Sequence, residues 1–155
     1  MVSSEVLLSF NISMLFGLLF VLFLYQSIKK NRRAYILTGG LLLGAFGMFL
    51  ETLRLTGFMP FAGLTDAHLL FFHLSIMSLQ YFTVYLFFEE LETVRPNLYR
   101  LSIVLVLLVA KILTNWILTF THLPTDISDL LWNVSDFCYN GLGIFSFGFG
   151  LYVHL

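Results

Sequence analysis

Apolar residues along this chain run in long unbroken blocks. They do not form the short alternations of strands or the one-sided stripes of soluble helices. The blocks cover about residues 6–28, 34–58, 67–88, 101–120 and 130–155, and charged residues collect between them. A helix crosses the bilayer core with roughly 20 predominantly apolar residues, so each block predicts a transmembrane α-helix. Open strands would leave backbone groups unpaired in lipid, and the blocks are too uniformly apolar for alternating barrel strands. The pattern therefore predicts an all-α, polytopic membrane bundle of five helices, a single domain over residues 1–155.

The first block is not a signal peptide. It lacks a basic leader, Glu5 precedes it, and it is longer than a typical h-region. The gaps read as turns. FMPFAGLTD carries Pro60 and Gly63 and offers Asp66 as a helix cap; THLPTDISD offers Asp126 or Ser128. Every proline lies in a gap, which argues against a transporter built on broken helices. The lone cysteine, Cys138, lies in a block and forms no internal disulfide.

Composition agrees. The chain is 59% hydrophobic and 11% charged, against about 25% charged in soluble domains. Net charge is −1, so nothing points to nucleic acid. The placement of charge is more informative. Lys29, Lys30, Arg32 and Arg33 lie between the first two blocks, and Arg95 and Arg100 between the third and fourth. The gaps near 57–66 and 121–129 contain no Lys or Arg. Basic loops face the cytoplasm, which predicts a multi-pass cell-membrane protein with its N-terminus outside. Tyr25, Tyr35, Tyr99, Trp116 and Trp132 fall near the interfaces that this orientation defines. The last block, ending GLGIFSFGFGLYVHL, has no flanking charge. It predicts a fragment or one half of a split gene, with a complete five-helix protein as the alternative.

Polar residues inside the blocks carry the candidate chemistry. The fifth block holds Asp129, Asn133, Asp136 and Asn140 on one helical face; the second holds Gly40, Gly44, Gly47, Glu51 and Arg54 on another. Lys111 and Asn115 share a face of the fourth, and His73 and Gln80 a face of the third. At 1.5 Å per residue, Glu51, His73, Asn115 and Asp136 all fall roughly 8–10 Å below the outer surface, with Lys111 reaching up from nearer the midplane. Glu51, Arg54, His73, Lys111, Asn115 and Asp136 are thus expected to line one outward-facing polar pocket for a small molecule or ion. Lys111 is expected to meet Asp136 or Glu51, and Arg54 the other carboxylate. The alternatives are that these pairs only lock helices together, or that Lys111 snorkels alone.

No cofactor is indicated. His73 has no second histidine at its depth to hold a haem. A metal on His73, Glu51 and Asp136 is the weaker reading, since no HxxxH or ExxH pair supports it. GxSxG, P-loop, HExxH and CxxC motifs are absent, so no catalytic residue is assigned. The inner half is almost wholly apolar and offers ions no through-path.

The FLETLRL segment with Glu51, SLQYF with Gln80 and Tyr81, and the exit FFEELE resemble, over about residues 34–120, the seven-helix sensor module at the N-terminus of many prokaryotic histidine kinases and related signalling proteins. The resemblance implies a membrane sensor whose remaining helices and cytoplasmic output domain would follow, the present chain being part of a seven-helix bundle. An accessory or structural subunit, associated with a helix partner or oligomer, is the alternative, and a metal-dependent intramembrane enzyme the third.

Overall fold

The computed structural model describes residues 3–29, 34–58, 64–92 and 97–154. They form α1 (Ser4–Lys29), α2 (Ala34–Thr56), α3 (Asp66–Glu92), α4 (Leu98–Phe120) and α5 (Thr125–Gly143). A π-helical turn, Ile144–Gly148, continues α5 into the short α6 (Phe149–His154). No strand occurs among the described residues. Among the described residues, four helices are long and apolar enough to cross a membrane, over Ser4–Gln26, Tyr35–Thr56, Asp66–Glu89 and Leu98–Phe120; α5, the fifth expected span, is not among them. The next helix begins at Thr125, five residues before the apolar block, because TDISD is already helical. Lys30, Arg32, Arg33 and Arg95, and the turn residues Pro60 and Gly63, lie outside the described residues.

The helix starts correct the predicted caps. Thr65, not Asp66, caps α3: its hydroxyl accepts from the His68 N–H at 3.4 Å. Asp66 is the first helical residue, where its charge suits the helix N-terminus. Neither Asp126 nor Ser128 caps α5, which starts after Pro124 without a side-chain cap bond. Asn97 caps α4, its Oδ1 accepting from the N–H groups of Tyr99 and Arg100 at 3.1 and 3.3 Å.

The helices pack in sequence, α1 on α2, α2 on α3, α3 on α4 and α4 on α5, and α5 with its π-helical and α6 continuation also packs on α3. Lipid is as apolar as leucine, so close contact and hydrogen bonds, not water exclusion, hold such helices together. Small residues and hydroxyls do this on one side of the bundle. Ser9 Oγ donates to Met48 O at 2.9 Å, and Ser13 Oγ to Ala45 O at 2.8 Å, tying α1 to α2. Gly40, Gly44 and Gly47 then let α3 approach α2; a Cβ at Gly44 would sit 2.6 Å from Gln80 Nε2. The other side is packed by large side chains. Tyr85, Val104, Leu108, Leu142 and Phe149 form a buried core between α3, α4 and the α5–α6 continuation. The π-helical turn closes on it, with Ser146 Oγ donating to Tyr81 O at 2.7 Å.

The apolar blocks also supply the outer surface. Leu8, Met14, Leu18 and Val21 on α1, and Val106, Val109 and Leu113 on α4, are exposed as lipid-facing residues would be.

Gly44→Leu is expected to weaken the α2–α3 contact by about 1–3 kcal/mol, the usual cost of overpacking a tight site. Gly17→Leu, where a Cβ meets nothing within 4 Å, is expected to leave the unfolding midpoint unchanged. Denaturant titration of both variants in detergent checks the contrast.

Candidate functional site: a buried lysine between α4 and α5

The face of α4 turned inward carries Val104, Leu108, Lys111, Thr114 and Asn115. Its upper part is polar because Lys111 and Asn115 stand one turn apart. Opposite them, α5 presents Ser135 and Tyr139 at the same spacing. Lys111 is 3% exposed, Asn115 1% and Ser135 0%. Lys111 Nζ donates to Ser135 Oγ at 2.5 Å, and Ser135 Oγ donates onward to Asn115 Oδ1 at 3.0 Å. The ammonium also lies 5.3 Å from the centre of the Tyr139 ring, within cation–π range. Tyr139 in turn packs against Tyr81 of α3, ring centres 4.9 Å apart.

The network leaves donors over. An ammonium carries three N–H groups and an Asn amide two. Among the described residues, Lys111 makes one hydrogen bond, to Ser135, and buried Asn115 Nδ2 makes none. No carboxylate lies within 4.0 Å of the ammonium there; the ion pairs are Arg54–Glu51, Arg54–Asp66 and Arg100–Glu89.

The expected pairing of Lys111 with Glu51 is thus corrected, and with Asp136 there is an electrostatic interaction but no ion pair within 4.0 Å. Glu51 is held by Arg54 one turn along the same helix, through two bonds of 2.8 and 2.7 Å from Nε and Nη2. This bidentate geometry suits Arg better than Lys. Arg54 also reaches Asp66 at 3.7 Å, linking α2 to the start of α3. His73 is half-buried, and its Nδ1 bonds Gly47 O at 2.8 Å, again between α2 and α3. Asp136 is exposed on α5. It makes no ion pair with Lys111 within 4.0 Å, yet it is near enough for its charge to act on the ammonium across space.

The six residues therefore fall into separate places. Lys111 and Asn115 come together between α4 and α5; Glu51, Arg54 and His73 belong to the α2–α3 contact; Asp136 is exposed on α5, within electrostatic range of Lys111 but not in contact with it. α3 lies between the two groups, because α2 packs on α1 and α3, and α4 on α3 and α5. His73, Glu51 and Asp136 do not converge either. No group of three His, Cys, Asp or Glu able to hold a metal occurs among the described residues.

Sequence reasoning missed Ser135 and Tyr139. Their signal was present, since a Ser and a Tyr four apart match the Lys and Asn of α4. The stronger Asp/Asn stripe on the opposite face of α5 outweighed it. It also missed Glu89, which read as part of a loop. Because α3 runs on to Glu92, Glu89 is 2% exposed. It accepts from Tyr85 Oη at 2.9 Å and from the Asn97 N–H at 2.6 Å. Arg100 stands 3.7 Å away, its guanidinium 4.4 Å above the Phe149 ring. The half of the bundle that reads as apolar holds a buried charged cluster that joins α3 to α4.

No protein-family model, curated protein or solved structure matches the chain.

Ser135→Ala removes the hydroxyl that joins both helices and strands two buried groups. It is expected to cost about 1–3 kcal/mol. Lys111→Met removes a desolvated charge worth about 2.5–3.5 kcal/mol against insertion at mid-bilayer. It is expected to leave stability unchanged or raised. Unfolding midpoints of the two variants, measured side by side, check the opposite signs.

Proposed function

We propose that the chain is an integral membrane protein of sensor or receptor type. In this reading five helices span the cell membrane, the N-terminus is outside, and the Lys/Arg-rich loops face the cytoplasm. The sequence resemblance of FLETLRL, SLQYF and FFEELE to the prokaryotic seven-helix sensor module supports the same reading. The ligand is an acceptor-bearing, anionic group that enters between α4 and α5. The observation that carries this is the buried Lys111 ammonium, which meets one hydroxyl and no carboxylate while the neighbouring Asn115 amide donates to nothing. A buried charge that touches no counter-charge is costly; Asp136 acts on Lys111 only across space, and a ligand carboxylate or phosphate would take up the free donors of both side chains. Glu51, Arg54 and His73 are then read as positioning residues that fix α2 against α3, and Asp136 as outside the ligand site.

A second reading is an accessory subunit in which Lys111, Ser135 and Asn115 only clamp α4 to α5. It is favoured by the continuity of the network, which runs from helix to helix through Ser135.

Thermal unfolding in lipid nanodiscs separates the two, with acetate, decanoate and inorganic phosphate as probes. The receptor reading expects at least one probe to raise the midpoint of the wild type in a saturable way and to leave folded Lys111→Met unmoved. A ligand at 100 times its Kd stabilises by about 2.7 kcal/mol. The same response from both proteins, or none from either, supports the clamp.

A further inference from the structure

The helix that carries Ser135 and Tyr139 does not continue as a plain α-helix. Between Ile144 and Gly148 it widens into a π-helical turn before α6. A π-turn spaces its hydrogen bonds five residues apart and takes in an extra residue. Closing it to α geometry would rotate everything after Gly148 by about 100° and move it by about 1.5 Å. The segment therefore has two discrete arrangements.

The contacts beyond the turn need the wide one. Phe149 packs on Tyr85, ring centres 5.8 Å apart, and lies beneath the Arg100 guanidinium at 4.4 Å. Tyr85 Oη in turn donates to Glu89. Gly150 fits against Phe88 so closely that a Cβ there would stand 2.5 Å from the ring. A rotation of about 100° would carry Phe149 off Arg100 and put a larger neighbour, Phe149 or Leu151, against Phe88.

Tyr81 of α3 holds the wide turn. Its carbonyl accepts from buried Ser146 Oγ at 2.7 Å, and its ring meets Phe147 at 5.8 Å. The same ring packs on Tyr139 at 4.9 Å, and the Lys111 ammonium lies 5.3 Å from the centre of Tyr139. Contacts thus run unbroken from Lys111 through Tyr139 and Tyr81 to the turn, and from the turn through Phe149 to Arg100 and Glu89. The turn supplies the two-state element that coupling between separate sites requires.

We propose that the π-helical turn Ile144–Gly148 is a register switch that couples the Lys111 site to the Glu89–Arg100 cluster. Its input rests on the ligand reading of Lys111; the coupling itself does not. An anion bound by Lys111 and Asn115 competes with the Tyr139 ring for the ammonium. Tyr139 and Tyr81 then hold Ser146 less firmly, the turn closes to α geometry, and Phe149 leaves Arg100. A ligand shifts such an equilibrium only through interactions that differ between its two states, and the cation–π contact is the one that differs here.

The test places 4-fluorophenylalanine at position 149 of the full chain in lipid nanodiscs and follows its fluorine resonance by NMR. Lys111→Met withdraws the ammonium from Tyr139 without any ligand. It is expected to raise the share of a second Phe149 resonance about fivefold or more, the lower end of coupling between sites. Tyr139→Leu, which removes the relay ring, and Ser146→Ala, which releases the turn directly, should populate the same resonance. Ser13→Ala, which loosens only the α1–α2 contact, should not. Acetate, decanoate or inorganic phosphate should populate it in the wild type. An unmoved Phe149 resonance in folded Lys111→Met or folded Tyr139→Leu would overturn the switch, whether or not an anion binds. The second resonance in Ser13→Ala would overturn it too, as a response to general loosening. A second resonance in Lys111→Met with no response of the wild type to any of the three anions would uphold the switch and overturn the ligand reading.

Discussion

A bilayer has no water with which to satisfy a stranded polar group, and this constraint orders the whole bundle. Each hydroxyl, amide and charge within the spans must find a partner on a neighbouring helix, find one on its own helix, or await one from outside. Ser9 and Ser13 find the carbonyls of α2, His73 finds Gly47, and Glu51 finds Arg54. Glu89 gathers Tyr85, Asn97 and Arg100 at the other end. Among the charged groups named here, Lys111 is the one that touches no opposite charge. It is buried too, yet its charge touches only one hydroxyl and the face of a tyrosine ring, with Asp136 acting on it from a distance.

The bundle has two kinds of seam. On the α1–α2–α3 side, glycines and serines bring backbones close, so the seam is narrow and set by shape. On the α3–α4–α5 side, Tyr85, Leu108, Leu142 and Phe149 fill a wider gap, and that gap leaves room for the lysine stem and for Tyr139. The proposed ligand site is on the second side, where side chains rather than backbone define the space.

Much of the fold was legible because hydrophobic block length maps directly onto helix length. The blocks at 34–58 and 101–120 match α2 (Ala34–Thr56) and α4 (Leu98–Phe120) closely. The glycine stripe of α2 was legible for the same reason, since spacing alone places it on one face. The site was less legible. Depth along a helix is readable at 1.5 Å per residue, and it put Glu51, His73, Asn115 and Asp136 in one layer. Depth does not say which helices touch, and the packing order places α3 between the two groups. Nor does it say which of two polar faces of α5 turns inward. Ser135, the smaller and less polar residue, won the interior because it fits between Lys111 and Asn115, and the Asp/Asn stripe took the outside. Glu89 escaped notice because a charge near a block end reads as a boundary, whereas α3 continues past it.

The most direct test of the account is an experimental map of the protein in nanodiscs at a resolution that shows side chains. The account predicts Lys111 Nζ against Ser135 Oγ, Asn115 completing the chain, and an acceptor group from outside residues 1–155 within hydrogen-bonding distance of Lys111 and Asn115 Nδ2. Lys111 extended along the lipid-facing side of α4, or paired directly with Asp136 or Glu51, would contradict it.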